Sequence, residues 1–214
     1  MRVALFVTCL VDLFRPSVAQ ASLSLLQLAG CAVDVPVAQT CCGQPAFNNG
    51  DEKNAAAIAR QVIAALEQYD YVVAPSGSCA GMLRVHYPEL LQDDPHWQQR
   101  ARDFAQRCYE LTRFLTSIAG MESVPGSFSG KITYHDSCSA LRELHIKREP
   151  RALLANVAGL ELAEMPDTES CCGFGGTFCV KYPQVSAHMV DDKIKNIEAS
   201  GADTVLLSLI HISE

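Results

Sequence analysis

The chain has 214 residues, is 49% hydrophobic and 19% charged, and carries a formal net charge of −7. Those values fit one large or two small domains with a sizeable core and exclude a disordered chain. The negative charge argues against broad binding to nucleic acid, and no apolar stretch reaches the roughly 18–20 residues of a membrane helix.

The N-terminal segment "MRVALFVTCLVDLFRPSVAQA" has the outline of a secretory signal, with an early charge, an apolar run and an Ala-x-Ala-like end. Asp12 and Arg15 interrupt it, and a counterpart recurs deep in the chain, so it reads as folded structure. Arg2–Thr8 is a short apolar run that predicts a buried strand ending at Cys9. Pro16 opens a helix that stops at Gly30. "CAVDVPVA" predicts a second strand, leading to Cys41-Cys42-Gly43. Asp51 caps a helix through "EKNAAAIARQVIAALEQY", and "YVVAP" predicts a third strand before Cys79. A mostly helical insert follows over roughly residues 80–119, with Cys108 placed in a helix, and "MESVPGSFSG" serves as a linker.

The second half repeats this order. "KITYHDSC" predicts a strand ending near Cys138, and "REPRALLANVAG" a helix. "LELAEMP" predicts a strand leading to Cys171-Cys172-Gly173. "YPQVSAHMVDDKIKNIEASG" predicts a helix stopping at Gly201, and "ADTVLLS" the last strand. Cys9 and Cys138 are 129 residues apart, and the two cysteine pairs are 130 apart. Units recurring at nearly constant offset imply a duplication. The expected architecture is α/β: two pseudo-symmetric strand–helix repeats, residues 1–119 and 120–214, with parallel sheets covered by helices.

Ten cysteines demand a reason. Secreted disulfide scaffolds are usually short and core-poor, and adjacent cysteines are strained partners for each other. A reduced cytoplasmic protein using thiolates as ligands fits better. Each cysteine of the repeat falls just after a strand, at the edge where open α/β sheets bind ligands. Cys9, Cys41, Cys42 and Cys79 are thereby brought together, as are Cys138, Cys171 and Cys172. Four thiolates suit zinc or an iron–sulfur cluster. Structural zinc favours short C-x₂₋₄-C knuckles, which an adjacent pair does not form. A cluster spreads its irons, so neighbouring thiolates can reach different ones, and the Gly43 N–H can serve a sulfur.

The pattern C-x₃₁-CCG-x₃₅-C followed by a second CCG resembles the cysteine-rich CCG domain. That domain occurs in heterodisulfide reductase and in the iron–sulfur subunit of glycolate oxidase. "SCCGFGGTF", "VKYP", "APSGSCAGM" and "YHDSC" most resemble the lactate-utilisation protein A family. The resemblance implies an iron–sulfur protein in the oxidation of L-lactate to pyruvate. It would act with two partners, a ferredoxin-type iron–sulfur protein and a third protein. Met82 stands where heterodisulfide reductase has a fifth cysteine, which favours an ordinary [4Fe–4S] site on Cys9, Cys41, Cys42 and Cys79. In the second repeat the place matching Cys79 is Ile212, so that site is incomplete as written. "LSLIHISE" resembles translated transposon-adapter DNA. About the last eight residues are therefore expected not to be native, and the natural protein to be longer.

Other features have plainer readings. Cys31 and Cys108 read as small buried hydrophobes. Cys179 is a weak candidate ligand, and His135 a side chain beside the second site. "GFGG" reads as a tight turn and "RELHIKREPR" as a solvated helix face. Nothing in the sequence marks a flavin, a nicotinamide site or a general base, so the catalytic residues stay unassigned. The rival readings are a zinc-bearing structural or scaffold protein and a thiol–disulfide reductase.

Overall fold

The computed structural model describes residues 1–207. The chain opens with β1 (Arg2–Leu5), α1 (Cys9–Phe14), α2 (Pro16–Leu28), β2 (Ala32–Asp34), α3 (Gln44–Asn48), α4 (Glu52–Leu66) and β3 (Tyr71–Ala74). Pro16 suits the first turn of α2 because its missing N–H has no helical partner there. Gly30, with φ 78°, turns the chain back after that helix. Asp51 caps α4 by accepting from Asn54 N at 3.2 Å. One face of α4, including Ala55, Ala59, Val62, Ile63 and Leu66, is buried.

Next come α5 (Gly77–Gly81), a π-helical turn (Met82–His86), α6 (Tyr87–Leu90), α7 (Gln98–Gln106), β4 (Cys108–Glu110), α8 (Leu111–Arg113) and a second π-helical turn (Phe114–Ile118). The first sheet is parallel throughout, in the order β2-β1-β3-β4. Two expectations need correction here. Cys108 opens a strand rather than lying in a helix, pairing with Val72 on the free edge of β3. Three residues give no periodic signal, so only the tertiary edge reveals the strand. Strand β2 is also shorter than expected: it starts after Cys31 and ends at Asp34, just before Pro36, which lacks the N–H a longer ladder needs.

The remaining chain forms β5 (Ser127–His135), α9 (Cys138–Arg142), α10 (Arg148–Ala155), β6 (Ala158–Leu162), α11 (Thr177–Lys181), α12 (Pro183–Ala199) and β7 (Thr204–Leu207). Residues 127–130, expected in the linker, begin β5 instead. The second sheet is parallel in the order β6-β5-β7. That order matches β2-β1-β3 strand for strand, so the fold is α/β with two parallel sheets and surrounding helices.

The main core lies on the first sheet, where Val3, Ala4, Leu5, Val72, Val73 and Ala74 are buried. Packing joins the two sheets through α5 and α9, where Gly77 faces Ala140 and Ser137. Arg113 also crosses to the second half, pairing with Glu149 and donating to His145 O at 2.9 Å. Among the described residues, no helix is long and apolar enough to cross a membrane.

Candidate metal centre

Cys9 stands at the start of α1, directly beyond β1. Thr8 before it has φ 71°, an uncommon value for a residue with a Cβ, and turns the chain sharply at the end of the strand. Cys79 lies in α5, beyond β3, where the Ser76 hydroxyl accepts from Cys79 N at 3.3 Å. Cys41 and Cys42 occupy the loop between β2 and α3. Because β1, β2 and β3 are parallel neighbours, all three loops leave the same edge of the sheet.

Four sulfurs meet there as two pairs. Cys9 Sγ is 3.7 Å from Cys41 Sγ, and Cys42 Sγ is 3.5 Å from Cys79 Sγ. Cys42 and Cys79 are buried, while Cys9 and Cys41 are half-buried. Gly43 takes φ 84° and donates its N–H toward Cys41 Sγ at 3.5 Å. Tyr87, fully buried, donates its hydroxyl to Cys42 O at 2.9 Å and fixes the loop from below.

The electrostatics follow from this crowding. The Cys41 thiol is driven well down by S–H donation from Cys42 and Cys9, and backbone N–H groups add to this. Cys42 is driven up because it donates to Cys41 and Cys79 and is buried. Cys9 rises through its own donation to Cys41. Cys79 falls as it accepts from Cys42. Four sulfurs this close cannot all ionise without a cation among them. The donor set is all soft sulfur, with N–H support, and so fits a thiophilic metal or an iron–sulfur group. Among the described residues, no three His, Cys, Asp or Glu side chains gather tightly enough to hold a single metal ion.

The second repeat copies the local geometry. Cys138 opens α9 beyond β5, with the Ser137 hydroxyl accepting from Ala140 N at 3.2 Å. Cys171 and Cys172 precede Gly173, which has φ 83° and donates toward Cys171 Sγ at 3.4 Å. The Cys138 thiol is pushed up to about 11 by burial and by the charge of Cys171. Ile212 lies outside the described residues.

A cavity of about 670 Å³ spans the two halves. Leu10 and Ser78, neighbours of Cys9 and Cys79, line it together with Cys138, Cys171 and Cys172. Cys179 lines it too and donates its thiol to Gly176 O at 3.0 Å. His135 borders the same cavity, 1% exposed, and among the described residues neither ring nitrogen has a hydrogen-bond partner.

Cys31 and Cys108 are buried, and Cys108 donates its thiol to Phe104 O. "GFGG" forms a turn with Gly173, Gly175 and Gly176 at positive φ. In the basic cluster Arg142, Lys147 and Arg148 are exposed, as expected of a solvated face, and Arg151 alone departs from it. Arg151 is instead paired bidentately with buried Asp136, at 2.9 Å for each bond, and also with Glu164. Tyr87 escapes sequence reasoning because a lone tyrosine in a helical stretch carries no local signal.

The cysteine-rich domain model named CCG matches this chain twice, over residues 3–84 and 132–208. The chain is 49% identical to lactate utilization protein A of Geobacillus kaustophilus and 48% identical to that of Geobacillus thermodenitrificans. It is 46% identical to the Bacillus subtilis protein of the same name. Each match runs over 206 residues, covering 96% of this chain and 86% of the relative. With paired cysteine loops on two sheets of matching strand order, the chain belongs to the lactate utilization protein A family, built on the CCG cysteine-rich domain.

Proposed function

We propose that this chain is an iron–sulfur electron-transfer subunit in the oxidation of L-lactate to pyruvate. The reading assigns Cys9, Cys41, Cys42 and Cys79 as ligands of a [4Fe–4S] cluster, and Cys138, Cys171 and Cys172 as a second site. The observation that carries it is the gathering of four cysteine sulfurs, two of them from an adjacent pair, from three loops at one sheet edge. An adjacent cysteine pair can reach two different irons of a cluster, whereas structural zinc favours short C-x₂₋₄-C knuckles, which this chain does not use at the site.

When bound, such a cluster supplies a one-electron carrier. The chain's own residues do the rest. Gly43 presents an N–H to Cys41 Sγ, stabilising negative charge on that sulfur. Tyr87 holds the Cys42 carbonyl, and the Ser76 hydroxyl holds Cys79, so the sulfurs keep their spacing. The burial of Cys42 and Cys79 keeps water from the inner pair. Half-buried Cys9 and Cys41 form the outer side, where a redox partner can approach. The reading places the chain in the cytoplasm, beside a ferredoxin-type iron–sulfur protein and a third protein that complete the lactate-oxidising complex.

Reconstitution of activity tests this. The purified chain alone should not reduce a dye with lactate, and adding the partner proteins should restore lactate-dependent reduction. Cys42→Ser should abolish the restored activity. Steady turnover by the chain alone would overturn the subunit reading.

A further inference from the structure

The two repeats can be set in register through their glycines. A Cβ on Gly43 would meet Ile58 Cγ2 at 3.3 Å and Ala55 O at 3.7 Å, both on α4. A Cβ on Gly173 would meet Ser186 O at 2.6 Å and Met189 Cβ at 2.8 Å, both on α12. Ala55 therefore matches Ser186, and Ile58 matches Met189. One turn further along the same helix face, Val62 matches Lys193. Val62 is 1% exposed and Lys193 is 4% exposed. One repeat thus buries hydrocarbon where the other buries an ammonium.

Lys193 Nζ donates to Asp167 O at 3.1 Å and Thr168 O at 3.4 Å, with Met165 Sδ at 4.0 Å. These residues belong to the turn that leads into Cys171. Among the described residues, no carboxylate forms an ion pair with Lys193. Asp136, the acid that acts on it, is already held by two bonds from Arg151. A buried ammonium without a counter-charge is costly. Burial lowers its pKa, and negative charge on Cys172, Cys138 or Cys171 would oppose that shift. At the first site the leading influences on Cys9, Cys41, Cys42 and Cys79 are neighbouring thiols, hydrogen bonds and burial, with no cation among them.

We propose that Lys193 is the buried counter-cation of the second cysteine site and makes it the more readily reduced of the two. This rests on the iron–sulfur reading above. Reduction adds one negative charge to a thiolate-bound cluster, and a nearby fixed cation favours that state. With clusters bound at both sites, an electron on the first-repeat group would be drawn to the second, the first being oxidised as the second is reduced. No bond is made or broken, and the ammonium keeps its proton.

The test is a redox titration of the anaerobically reconstituted full chain, followed by electron paramagnetic resonance. The wave lost in Cys172→Ser marks the second site, and it should lie at the higher potential. Lys193→Gln keeps a donor for the turn carbonyls, and Lys193→Met keeps the length of the side chain. Both should lower the reduced-to-oxidised ratio of the second site about ten-fold at fixed potential, about 59 mV for a one-electron couple. Lys193→Arg should hold the wild-type value, and the first wave should stay in place in every variant. Loss of second-site iron in both neutral variants but not in Lys193→Arg would report the same need for charge. An unmoved second wave, an equal shift of both waves, iron loss in all three variants, or a second site that stays empty while the first fills would overturn the proposal. Iron in neither site would overturn the iron–sulfur reading itself.

Discussion

Gly77 and Ala140 meet where the two halves touch: a Cβ at position 77 would lie 2.7 Å from the Ala140 Cβ and 2.7 Å from Ser137 Oγ. Gly77 shares α5 with Cys79, and Ala140 shares α9 with Cys138. This approach therefore sets the distance between the two cysteine sites and shapes the cavity between them.

Gly77→Ala should force that contact apart. Overpacking of this kind costs about 1–3 kcal/mol. For a chain of this size the melting temperature should fall by about 2–4 °C per kcal/mol, read by circular dichroism. An unchanged melting temperature would show that the halves do not pack through this glycine.

Tyr87→Phe removes the hydroxyl that donates to Cys42 O at 2.9 Å in the buried core. Leaving that carbonyl unpaired should cost about 1–3 kcal/mol, seen as a lower urea midpoint. Because the carbonyl belongs to Cys42, the variant should also release iron faster to a chelator than the wild type does.

His135 gives the metal-free protein a pH signature. Burial, aided by the charge of Lys193, lowers its pKa from 6.5 to about 4. Between those values the unfolded chain takes up a proton that the folded chain refuses. Stability should therefore fall as pH drops from about 6.5 to about 4, by about 2–3 kcal/mol from this group. Above pH 6.5 the group should add no slope. Phe6 is the first-repeat residue at the 129-residue offset and is fully buried, so His135→Phe should fit. Urea unfolding across this range should show a flatter slope in His135→Phe, and an identical slope would sink the assignment.

The sequence made the repeat legible because its signals are local. Pro16, Gly30 and Asp51 mark helix ends through their own backbone chemistry, and the structure places them there. The Gly43 N–H on a sulfur was also legible, since the turn after an adjacent cysteine pair forces it close. Strand β4 was not legible, because Cys108–Glu110 becomes a strand only by adding to the edge of β3. Arg151 was misread as solvated because its partner Asp136 is 15 residues away and joined to it only in the fold. Lys193 sits in a helical pattern that looks amphipathic, and nothing nearby in the sequence says that its position faces inward.

Iron and acid-labile sulfide per chain, measured after anaerobic reconstitution, test the first site most directly. Wild-type protein should hold at least about four of each, as a [4Fe–4S] group requires. Cys9→Ser, Cys41→Ser, Cys42→Ser and Cys79→Ser should each lose about that amount, while Cys31→Ser and Cys108→Ser should keep it. Full iron and sulfide in Cys42→Ser, or zinc without sulfide in the wild type, would contradict the site.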